Sequence, residues 1–69
     1  MAHIFVPYHA ESHTMLADCF TDCNEANDYC ERNQLTVEDG WDIAKIEHPT
    51  MSREELIKTH KQIVASISN

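Results

Sequence analysis

One glycine, two prolines and five basic residues are what this chain of 69 residues has least of. Each scarcity excludes something. A lone glycine, Gly40, cannot build the glycine-rich loops that cradle phosphates, so nucleotide binding of that type has no support. So little Gly and Pro leaves no linker or low-complexity arm, and no repeat is visible. The chain reads as a single small acidic domain over 1–69. No apolar run approaches the roughly 18 residues of a membrane span. The opening MAHIFVPYHA lacks a basic region and is broken by Pro7, so it does not read as a signal peptide, and a cytoplasmic location is expected. Three cysteines are an odd number, which a closed disulfide set cannot absorb. Reduced thiols are the simpler expectation.

The shortage of bases is local. Residues 11–42 hold nine acids against one base, Arg32, a sum of −8, while 43–69 hold four bases against three acids. The net charge of −7 therefore comes entirely from the first two thirds. A field of that sign repels nucleic-acid phosphates and anionic membrane, and draws basic partners. The bland reading is that it only keeps a small domain soluble.

The last third is the most regular. Ser52 followed by Glu55 is a capping box, and Met51 with Leu56 forms a hydrophobic staple. Leu56, Ile57, His60, Ile63, Val64 and Ile67 recur at helical spacing, with Glu54 and Lys58 as an outward pair. The spacing predicts a helix over about 52–67. His60 in that stripe reads as a packed histidine with one hydrogen bond rather than a ligand or proton carrier.

Two readings compete for the cysteine-bearing stretch CFTDCNEANDYC, residues 19–30. One long helix over 12–33 puts Leu16, Cys19, Phe20, Cys23, Ala26, Asn27 and Cys30 on one face. The preferred reading starts a helix later, at about 21–33, with Thr21 as N-cap. A hairpin then precedes it, HIFVPYH and TMLADCF joined at AESH, with Pro7 placing the first strand at a sheet edge. In the middle segment, LTVE and WDIAKIEH read as extended pieces joined at the Asp39-Gly40 turn, against a weaker helix start at Thr36 and Asp39. The expected fold is α+β, a small antiparallel sheet of short strands with central and C-terminal helices. The alternative is an all-α three-helix bundle.

Chemistry finds little to hold on to. The spacing C-x3-C-x6-C does not match paired zinc motifs, although His9, His13, Cys19 and Cys23 are the set from which a small metal-binding protein would be built. There is no C-x-x-C, neighbouring acids make poor nucleophiles of the thiols, and a chain this short rarely encloses a substrate pocket. No enzyme activity and no cofactor are expected. What remains is an acidic surface with aromatics in it. Asp18, Asp22, Glu25, Asp28 and Tyr29 come from the central helix and its approach, and Glu38, Asp39, Trp41 and Asp42 from the Asp-Gly turn. An acidic rim steers a basic partner and an aromatic anchors it. The function expected is a non-enzymatic regulator or inhibitor docking on a basic protein surface, such as a nucleic-acid-binding protein whose groove the acids occupy in place of phosphates. Small acidic proteins of phages and other mobile elements often act this way on host proteins, and this chain fits them by type only. A homodimer is also expected, because the C-terminal stripe is long for so small a core.

Overall fold

The computed structural model describes residues 2–67. Three strands and two helices follow in the order β1 (Ala2–His9), β2 (Thr14–Met15), α1 (Cys23–Arg32), β3 (Trp41–His48) and α2 (Arg53–Ile67), with a 3₁₀ turn at Val37–Asp39. The strands form one antiparallel sheet in the order β2-β1-β3. The α+β reading therefore holds and the three-helix bundle does not. The long helix over 12–33 fails for a local reason. Phe5 and Phe20 exchange both backbone bonds, at 2.7 and 2.9 Å, so the chain before α1 is held extended along β1.

Alternation decides which face each helix covers. Ile4 and Val6 of β1 are fully buried and pack with Leu56 of α2, joined by Ile46, Ile57 and Met51. The odd positions point the other way. Phe20, opposite Phe5, meets Tyr29 of α1 with ring centroids 5.1 Å apart. Helix α1 thus lies on one face and α2 on the other. On β3, Ile43 faces the α1 side and Ile46 packs against the Leu56 cluster on the other, so Ile43, Ala44 and Ile46 are all half-buried although their pattern does not alternate cleanly.

Local signals set the ends of the elements. Glu55 N–H donates to Ser52 Oγ at 3.3 Å, the expected cap of α2. Asp22, not Thr21, caps α1: its carboxylate accepts from Asn24 N–H at 2.9 Å, and a charged acceptor also suits the positive helix end. The expected LTVE strand does not form. Asp39 N–H bonds Thr36 Oγ1 at 3.3 Å and Trp41 N–H bonds Thr36 O at 3.0 Å. Those bonds coil the segment into one 3₁₀ turn, and β3 pairs with β1 instead. Gly40 then turns the chain at φ 95°.

A Cβ at Gly40 would lie 3.0 Å from His9 Nε2. That ring cannot step aside, because Nε2–H donates to Asp39 O at 2.7 Å while Nδ1 accepts from Ser12 N–H at 3.2 Å. Gly40→Ala is expected to cost about 2 kcal/mol from backbone strain and crowding together. Urea melts of the two proteins measure it, and an unchanged midpoint would show that His9 is not fixed.

Pro7 does not mark an edge. It sits in the central strand with its carbonyl turned toward β2, where Leu16 N–H donates to it at 3.1 Å. The missing partner bond on that side is supplied from outside the sheet: His60 Nε2, on α2, lies 2.8 Å from Leu16 O. A carbonyl only accepts, so the proton of that ring is on Nε2. The histidine is packed with one hydrogen bond, as its place in the stripe implied.

Candidate functional site

Helix α1 ends in a Schellman turn. Leu35 N–H reaches back to Cys30 O at 2.8 Å and Gln34 N–H to Glu31 O at 3.3 Å, with Gln34 in the left-handed region at φ 59°. The turn throws Leu35 back beside Cys30. The following 3₁₀ turn carries Val37, and β3 opens with Trp41. Together with Ile43 these side chains wall a cleft of about 60 Å³ between α1 and β3, with Asn27 and Asp42 at its rim. Trp41 is half-buried, its ring set against the edge of His9 at 5.1 Å. Val37 stands at the mouth and is 81% exposed. The volume suits the end of one side chain, about two waters' worth of space.

The nine residues expected to bind a partner divide into groups. Around α1, Asn27 lies about 100° to one side of the buried Ala26 and Tyr29 about 60° to the other. Tyr29 therefore sits on the flank away from the cleft, against Phe20, where its hydroxyl donates to Asp18 Oδ2 at 3.1 Å. Trp41, Glu38, Asp39 and Asp42 gather on the cleft side. Asp28 crowns α1 between the two groups, Glu25 lies about 100° from Ala26 on the Tyr29 side, and Asp22 is at the N-terminus. The helix group and the turn group thus stay separate, bridged by the outer face of a helix.

Four of the acids have structural work. Asp22 caps α1, Asp18 holds Tyr29, Asp39 Oδ2 accepts from Thr36 Oγ1 at 3.1 Å, and Asp42 Oδ1 accepts from Ile43 N–H at 2.7 Å. The Asp42 bond covers an outward donor on the free edge of β3, a position open to pairing with another chain. Glu25, Asp28 and Glu38 have no side-chain partner among the described residues, and the one ion pair there is Lys45–Glu47 at 2.9 Å. Their carboxylates are exposed and uncommitted. Sequence reasoning passed over Leu35 and Val37, which stand in a stretch with no usable periodicity. It also left out the exposed Glu31 on the outer side of α1.

The alternative metal set is dispersed. Both ring nitrogens of His9 are engaged, His13 lies in the hairpin turn at φ 54°, Cys19 Sγ contacts Ala17 O at 3.3 Å, and Cys23 is exposed at the start of α1. Among the described residues no three His, Cys, Asp or Glu side chains are grouped so that they could hold an ion.

Burial pushes the Cys19 and Cys30 thiols above their ordinary value, and the hydrogen bond to Asp18 does the same for the Tyr29 hydroxyl. All three groups are neutral below their ionisation. A raised value in the fold means that the unfolded chain ionises first as pH rises. The stability they contribute is therefore complete at neutral pH and is lost from about pH 9 upward, with Tyr29 following from about 10. Melts across that range should show the decline, and Cys19→Ala/Cys30→Ala should delay its onset. An onset unmoved by that pair would assign the alkaline loss to other groups.

No helix among the described residues is long and apolar enough to cross a membrane. No family model matches the chain, and no curated protein or solved structure matches it.

Proposed function

We propose that this protein is a non-enzymatic, cytoplasmic interaction module that docks on a basic protein surface and regulates or inhibits it. The single observation that carries this reading is the set of uncommitted carboxylates. In a chain of net charge −7, local hydrogen bonds account for Asp18, Asp22, Asp39 and Asp42, whereas Glu25, Asp28 and Glu38 have no side-chain partner among the described residues. Apart from them, a cleft walled by Trp41 and Val37 with Asp42 in its lining has room for the end of one partner side chain. Acids spaced along an exposed helix also resemble the phosphates that a nucleic-acid-binding groove expects, which makes such a groove the favoured partner surface.

The test is affinity capture from the native host cell with the wild-type chain and a Glu25→Lys/Asp28→Lys/Glu38→Lys bait. Both are run at low and high salt. The partner should be retained by the wild type at low salt only, and by the variant at neither. Equal retention on both baits, or retention indifferent to salt, rejects the charge-based reading.

A further inference from the structure

The stripe of α2 has a second use. Its positions Leu56, His60, Ile63 and Ile67 follow the 4-3-4 spacing of a coiled-coil seam. The first half is used internally, with Leu56 and His60 each 5% exposed against the sheet. The second half is not, since Ile63 is 52% and Ile67 76% exposed. These two, with Val64, form one wall of a groove of about 300 Å³ whose other wall is the hairpin at Thr14 and Met15. Isolated surface isoleucines are ordinary, but apolar side chains aligned along one groove mark an interaction site.

We propose that this groove is covered by α2 of a second copy of the chain, giving a two-fold symmetric dimer. Three observations favour that occupant. The seam calls for a helix of matching spacing, and this chain supplies one that leaves half its own seam uncovered. Thr59 and Ser66, the flanking positions, are small and uncharged, so two helices can approach closely. Charge then selects between a copy and a foreign basic protein. No carboxylate lines the groove, and from Thr59 to Ile67 the helix has no acid and one base, Lys61. A basic partner is steered to the acids on α1, whereas two copies of net charge −7 meet with least repulsion here. The buried apolar core is small, with Ile4, Val6, Pro7, Ala26, Cys30 and Leu56 its buried members among the described residues, and burying Ile63 and Ile67 between copies extends it. In a two-fold dimer the same patch serves both partners. Such a dimer displays two acidic faces, and a partner with paired basic sites gains avidity from it.

Sedimentation equilibrium of the full chain over about 1–100 µM, the range of a modest interface, tests this. The wild type should pass from monomer to dimer as concentration rises. Ile63→Glu/Ile67→Glu should remain monomeric with an unchanged circular dichroism spectrum. Val37→Glu, at the other exposed apolar site, should dimerise like the wild type. If the acidic pair unfolds the chain, Ile63→Ser/Ile67→Ser gives the same reading. Salt separates this interface from acidic docking. The dimer should hold or tighten at high salt, as like charges are screened, while docking on a basic partner weakens. A wild type that stays monomeric throughout, a groove variant that still dimerises, or a Val37→Glu that does not would each overturn the proposal.

Discussion

His60→Leu is expected to destabilise the protein by about 2 kcal/mol, although leucine suits an apolar stripe better than histidine does. The reason lies in the sheet. Proline in a central strand removes a ladder donor, so the opposing carbonyl must find another partner or remain bare. Here Pro7 faces Leu16, and His60 Nε2 donates to the Leu16 carbonyl at 2.8 Å. His60 is only 5% exposed, so water does not readily replace it. Losing one partner of a shielded pair costs about 1–3 kcal/mol, more than the net worth of the bond itself. A domain of this size has about 3–10 kcal/mol in all, so the variant loses a large share of its stability. In urea, with a slope near 1 kcal/mol per molar, the midpoint should fall by about 2 M.

The same geometry predicts a rescue. Pro7→Ala restores an N–H where the sheet lacks one, directed at the Leu16 carbonyl. Alone it should be mildly destabilising, because the buried proline ring is lost. Combined with His60→Leu it should reduce the damage, with a favourable coupling of about 1 kcal/mol. Effects of the ring on the unfolded chain cancel in the cycle. Strict additivity within about 0.3 kcal/mol would mean that the histidine does not stand in for the missing donor. The ¹⁵N spectrum of the imidazole offers a separate check, with the proton expected on Nε2.

This exchange between Pro7 and His60 also shows where sequence reasoning reached its limit. The helix over 53–67 was legible because every signal for it is local: the Ser52 cap, the staple and the stripe. The hairpin was legible in outline, since IFVPY needs a strand partner and the AESH turn places one beside it. What was not legible depended on residues far apart in the chain. Proline at position 7 suggested an edge because a compensating donor 53 positions away leaves no trace in local pattern. The Asp39-Gly40 pair did signal a tight turn, but which strand β3 would join was settled by pairing with β1 rather than by LTVE. The candidate site divides in the same way. Exposure of the acids on α1 followed from helical spacing. The cleft did not, because it rests on a Schellman turn with Gln34 where glycine is the usual residue. The three cysteines are of unequal status: Cys30 is buried, Cys19 half-buried and Cys23 exposed.

Reversing Glu25, Asp28 and Glu38 to lysine should weaken docking on a basic partner by about 100-fold, with no loss of fold. The choice of residues follows from what each acid does at home. Asp22→Lys would remove the α1 cap at a cost of about 1 kcal/mol, and Asp18→Lys would free Tyr29, so lost binding in either variant could be lost structure. Glu25, Asp28 and Glu38 make no side-chain hydrogen bond or ion pair among the described residues, and the first-turn place of Glu25 in α1 is worth about 0.5 kcal/mol. Each exposed charge pair across an interface contributes up to about 1 kcal/mol, and three such pairs reversed amount to about 3 kcal/mol, or roughly two decades in Kd. The loss should fall mainly on the association rate, because rim charges steer encounter more than they hold the complex. It should also shrink as salt rises, since screening removes the advantage that reversal destroys. Net charge moves from −7 to −1, and the relief of self-repulsion offsets the unfavourable lysine in the first turn of α1, so the variant's urea midpoint should stay close to the wild type's. A variant of undiminished stability that binds the partner at the wild-type rate would leave the acids as a solvated surface. Docking would then have to rest on the apolar contacts at Val37 and Trp41, which Val37→Glu would remove without touching the rest of the fold.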